Sequence, residues 1–158
     1  MGRVYTIEFE NISVTNANGD ADLFEIAPAD DKPCKVLGLF FDQISDVGDA
    51  QEEMLRYRVI RGHTTSGNGT PVTPAPLNPS DAAAGFTAKF YSATIASVGS
   101  PVNLHSGSFN IRTGLGLILP PKMQWQVTQA QGLLVVRLMA GPADDLTMSG
   151  TMYVEELG

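Results

Sequence analysis

The sequence predicts an all-β chain folded as one antiparallel β-sandwich, and three observations predict it. Strand-length runs alternate apolar and polar side chains, and turn residues separate them at short, even spacings. The 16 glycines and 10 prolines are too many for a helical bundle. No strand pattern leads into a helical one and back, as a parallel sheet requires. A length of 158 residues suits a single domain over residues 1–158, large enough to bury a core without disulfides or a structural metal.

The elements follow in order. Tyr5, Ile7 and Phe9 alternate with Thr6 and Glu8, and the apolar phase shifts at Ile12 and Val14, which predicts a bulge or a bend after Asn11. A turn over residues 16–22 precedes a short strand at 23–27 and a turn at 28–33. Residues 35–42 are apolar on both faces, with Leu37, Leu39 and Phe41 on one and Val36 and Phe40 on the other, so the strand lies inside a sheet. Asp49 and Glu52 form a capping-box pattern for one helical turn before Met54. Leu55, Tyr57 and Val59 then alternate with Arg56 and Arg58 in a half-buried strand with a basic outer face. Residues 62–85, holding Gly67, Gly69, Pro71, Pro74, Pro76 and Pro79, read as an extended contact loop that ends in a capped turn at 80–85. Further strands fall around 86–96, 102–105, 109–113, 124–129, 133–140 and 146–156. In the last, Leu146, Met148, Met152 and Val154 share one face with Gly150, and a turn at 141–145 joins it to its predecessor as a hairpin.

The formal charge is −7, unevenly spread: residues 1–53 hold twelve acids and three bases, the remainder five acids and seven bases. The overall field repels polyanions, so no nucleic-acid partner is expected. The acidic first third either attracts the basic remainder of a neighbouring subunit or forms a solvated face. The lone Cys34 allows no intrachain disulfide and reads as a small buried hydrophobe. Residues 1–10 lack the apolar stretch of a secretory leader, and no run approaches the ~18 apolar residues of a membrane-spanning helix.

Candidate chemistry is sparse. Gly62 to Gly69 has the frame of a phosphate-binding loop, but Asn68 stands where lysine must reach the phosphates. Asp42, Asp46, Asp49, Glu52 and Glu53 offer oxygens, at a spacing that fits no calcium loop, so no metal is expected. His63 and His105 have no Gly-x-Ser-x-Gly, HExxH or CxxC context, so no cofactor and no enzymatic activity are expected. The residues that stand out are candidates for contact. Leu133, Val135 and Met139, with Arg137 among them, make the second face of the 133–140 strand apolar, which implies either a covering loop or a subunit interface. Arg56 and Arg58 form either a solvated face or a docking patch. Asp46 and Asp49 in the acidic turn, and His63 and Thr64 at the head of the contact loop, complete the candidate interface.

Four stretches resemble a known family: VYTIEFENISV at 4–14, RVIRGHTTSG at 58–67, LNPSDAAAGFTA at 77–88 and SGTMYVEEL at 149–157. They are similar to small virion structural proteins of tailed bacteriophages, of the type that decorate or cement the capsid. The resemblance implies a non-enzymatic sandwich of jelly-roll type with at most one-turn helices. It also implies a homo-oligomer, typically a trimer, that is made in the bacterial host cytoplasm and binds the major capsid protein on the capsid surface. No site residue is carried over. The alternative is a carbohydrate- or receptor-binding module of a phage tail or fibre, in which Trp125 and Tyr91 stack on sugar.

Overall fold

The computed structural model describes residues 2–44 and 53–158. Among them the strands are β1 (Arg3–Val14), β2 (Ala21–Ala27), β3 (Cys34–Gln43), β4 (Met54–His63), β5 (Thr70–Val72), β6 (Ala75–Pro76), β7 (Thr87–Ser92), β8 (Val102–Asn110), β9 (Leu115–Ile118), β10 (Trp125–Val127), β11 (Leu133–Leu138) and β12 (Leu146–Glu156). Single 3-10 turns occur at Asn16–Asn18 and Gln129–Gln131.

Two antiparallel sheets face each other. Sheet A runs β10-β3-β12-β1-β6, with β9 also on β3; sheet B runs β5-β7-β2-β11-β4-β8. The pairings nest: β1 with β12, β2 with β11, β3 with β9 and β10, and β4 with β8. That nesting is a long hairpin rolled on itself, the jelly roll. The remaining strands all come from the β4–β8 connection. β5 and β7 extend sheet B beyond β2, and β6 extends sheet A beyond β1.

The core follows the alternation. Tyr5, Ile7 and Phe9 of β1 and Met148, Met152 and Val154 of β12 face Leu23, Phe24, Ile26, Leu134 and Val136 of sheet B, all buried. Phe9, Phe24 and Phe41 pack at its centre, with Phe24 and Phe41 stacked 5.7 Å apart. Gly150 makes room for them, because a Cβ there would lie 2.8 Å from Phe41 and 3.0 Å from Phe9. The expected bulge in β1 lies between Phe9 and Ile12, with Asn11 at φ 56°.

Several expectations are corrected. β3 pairs Val36 with Val154 but Gly38 with Tyr153, so Leu37 is an extra residue. This bulge turns Val36 inward with Leu39 and Phe41 and leaves Leu37 and Phe40 outside. β11 and β12 lie in opposite sheets, so residues 139–145 cross the sandwich instead of closing a hairpin. Residues 102–110 are one strand, because Gly107 lets the strand pass over the Tyr57 ring. Residues 80–85 form no helical turn. The helical turn expected before Met54 lies outside the described residues, as do Asp46 and Asp49.

Prolines mark most of the sheet edges. β5 contains Pro71, β6 contains Pro76, and Pro120 and Pro121 interrupt the edge formed by β9 and β10. A proline cannot donate to a ladder, so edges are where a sheet tolerates it. Among the described residues β8 is an edge strand without a proline, and residues 7–14 of β1, which β6 does not reach, are another such stretch.

Candidate partner-binding surfaces

The outer face of β11 is covered from within the chain. Leu133 and Val135 are buried in a second small cluster with Ile60 and Ala96, which the 93–101 segment lays over sheet B. Arg137 is 7% exposed. Its Nε donates to Asp22 Oδ1 (2.7 Å) and its Nη2 to the Ala96 carbonyl (2.9 Å), while the Ala96 amide donates to Asp22 Oδ2 (2.7 Å). Of the two readings of this strand, the covering loop is the one present. Leu133, Val135 and Arg137 are therefore corrected: they hold a loop and offer no surface to another subunit. Met139 stays half-buried at the rim, its amide donating to the Arg56 carbonyl.

The long β4–β8 connection is strapped down, not loose. The Glu25 carboxylate accepts from the Ser66 hydroxyl and the Gly67 amide (3.0 Å), and Lys89 Nζ closes the corner on Ser66 Oγ (2.7 Å). The Glu156 carboxylate accepts from the Gly85 and Phe86 amides (2.8 and 2.9 Å), and the Tyr5 hydroxyl donates to the Ala82 carbonyl (2.9 Å). With the Gly67 amide taken by Glu25, the Gly62–Gly69 frame is a strap and not a phosphate cradle. Asp22, Glu25 and Glu156 are all buried, and each gives one oxygen to backbone amides of this connection. Sequence reasoning passed over these three. For Asp22 and Glu25 the signal was a carboxylate flanked on both sides by apolar residues, as in Ala21-Asp22-Leu23 and Phe24-Glu25-Ile26, whereas Glu156 follows Glu155 at the end of its strand and carries no such signal.

His63 is buried, and its Nδ1–H donates to the Val98 carbonyl (3.0 Å); Thr64 is exposed beside it, its amide bonded to Ser97. His63 is thus a loop anchor, and only Thr64 of that pair reaches the surface. His105 shares a hydrogen bond with the Tyr57 hydroxyl (3.0 Å) and lies against the Trp125 ring. Burial raises the Tyr57 phenol above its ordinary value. Trp125 is only 8% exposed, so its ring offers little face for the sugar stacking of the alternative reading, and the Tyr91 hydroxyl accepts from Asn18 Nδ2 (3.0 Å). Burial, and behind it the Glu156 charge, pushes the Cys34 thiol up to about 12.

No protein-family model, curated protein or solved structure matches the chain.

Among the described residues two open faces stand out. On the outside of sheet A, Leu37, Phe40, Ile118 and Tyr153 form an apolar shelf, with Ile118 83% exposed. Phe40 and Tyr153 meet edge to face at 5.9 Å, and the missing side chains of Gly38 and Gly116 leave the Phe40 ring uncovered on one flank. Phe40 also walls an adjoining depression lined by Glu8, Glu10 and Asp42, with the hydroxyls of Ser149 and Thr151. On the outside of sheet B, Arg56 and Arg58 stand opposite Ser108 and Ser106 of β8, with Met54 59% exposed beside them. Among the described residues no helix is long and apolar enough to cross a membrane, and no three acidic, His or Cys side chains group as metal ligands.

Proposed function

We propose that the chain is a non-enzymatic structural protein of a tailed-bacteriophage virion, decorating and stabilising the capsid by binding the major capsid protein as a homo-oligomer, a trimer. The observation that carries this reading is the strapped β4–β8 connection. It is ordered by three buried carboxylates yet presents Leu77 (55% exposed) and Val98 (67%) to solvent. A long connection held in one shape and tipped with apolar side chains suits contact with a partner, because the entropy of ordering it is already spent before binding. The family resemblance supplies the identity of that partner.

The test is copy number and rebinding. Mass spectrometry of purified particles should find the chain in hundreds of copies, and purified protein should rebind expanded capsids stripped of it. Leu77→Asp with Val98→Asp should weaken rebinding without lowering the melting temperature. A handful of copies per particle, or undiminished rebinding by that variant, would overturn the reading.

A further inference from the structure

We propose that the chain associates head to tail, the outer face of sheet A of one copy seating on the β4–β8 side of the outer face of sheet B of the next. This inference rests on the reading of the protein as self-associating and names the surfaces that do it.

The two faces are opposites in charge and alike in build. Face A sets the Phe40–Ile118 shelf beside the exposed carboxylates of Glu8, Glu10 and Asp42. Face B sets the exposed Met54 side chain beside Arg56 and Arg58, which take no ion-pair partner among the described residues. An exposed apolar cluster of this kind on an otherwise finished core marks a contact surface. The occupant follows from the charges. Two A faces together oppose carboxylate to carboxylate, and two B faces oppose arginine to arginine, arrangements that cost several kcal/mol in an interface. Face A on face B instead matches carboxylates to guanidinium groups and the shelf to the methionine. Because every copy carries both faces, the contact is heterologous, and such contacts close into rings when the rotation allows; a trimer is one such ring. A standard contact takes ~800 Å² per partner, about a tenth of the chain's 7853 Å² of accessible surface.

The experiment is sedimentation equilibrium on the full chain from 1 to 100 μM, with two charge-reversed variants. Glu8→Lys with Asp42→Lys makes both faces basic, and Arg56→Glu with Arg58→Glu makes both acidic. Each alone should self-associate about 100-fold more weakly than the unmodified protein, with melting temperatures unchanged when read below the concentration range of association, because all four positions lie on the outer faces. An equimolar mixture should associate in alternating pairs that cannot close a three-membered ring, and a single chain carrying all four changes should restore the full assembly. A monomeric unmodified protein at 100 μM would overturn self-association itself, while capsid rebinding tests the decoration reading separately. An oligomer that neither variant weakens, or two weakened variants that fail to associate when mixed, would leave self-association standing and overturn the face assignment.

Discussion

Replacing Asp22 with alanine should release the 93–101 segment from sheet B at a large cost in stability. The Asp22 carboxylate is fully buried and accepts from Arg137 Nε and the Ala96 amide, both at 2.7 Å. Its removal strands a buried guanidinium and a buried amide. Breaking a buried ion pair from one side costs about 3–5 kcal/mol, and an orphaned buried amide about 1–3 kcal/mol. The two share one carboxylate and do not add, so about 4 kcal/mol is expected, a large part of the roughly 5–15 kcal/mol that holds a domain folded. Urea denaturation is the assay: at a slope of about 2 kcal/mol/M the midpoint should fall by about 2 M. Asp22→Leu combined with Arg137→Met removes both charges together and should recover most of the loss. A single variant within about 1 kcal/mol of the unmodified protein, or a paired variant no better than the single one, would refute the anchoring argument.

Three further outcomes are expected. Glu156→Ala removes the acceptor of the Gly85 and Phe86 amides, and their hydrogen exchange should quicken about 10- to 100-fold while β12 stays protected. Cys34 should resist alkylation at pH 8 until the chain unfolds. Because its folded value of about 12 lies above its ordinary 9.0, the neutral thiol favours the fold, a contribution present below pH 9 and lost as pH rises towards 12; base titration followed by circular dichroism should show that decline. Gly150→Ala places a methyl group 2.8 Å from Phe41 and should cost about 1–3 kcal/mol by overpacking, read as a lower thermal midpoint.

Strand alternation made much of this fold readable in the sequence. β12 shows its inward row without ambiguity, and the phase shift at Ile12 announces the β1 bulge. Where two answers shared one pattern, the sequence was silent. β11 is apolar on both faces whether a loop or a neighbour covers it, and the covering residue, Ala96, is small, distant in sequence and unremarkable in composition. The Leu37 bulge leaves no trace in a run that is apolar throughout, so the shelf on sheet A went unseen. The 141–145 crossing looks like a hairpin because a turn reveals where the chain reverses, not which sheet it enters. β5 and β6 hide in a proline-rich stretch because edge strands of two or three residues have no period to read.

The prolines at the sheet edges have a bearing on crowding. Where many copies stand close together, every free strand edge is a template on which a foreign strand can add and a fibre can begin. Pro71, Pro76 and the Pro120–Pro121 pair leave three of the described edges short, broken or lacking a donor. Of the edges left, residues 7–14 of β1 carry Glu8, Glu10 and the bulge at Asn11, whereas β8 is nine residues without a proline, a lysine or a carboxylate. The colloidal shelf life of a concentrated preparation therefore hangs on that one strand, and a lysine placed at Ser106 is the change that would guard it.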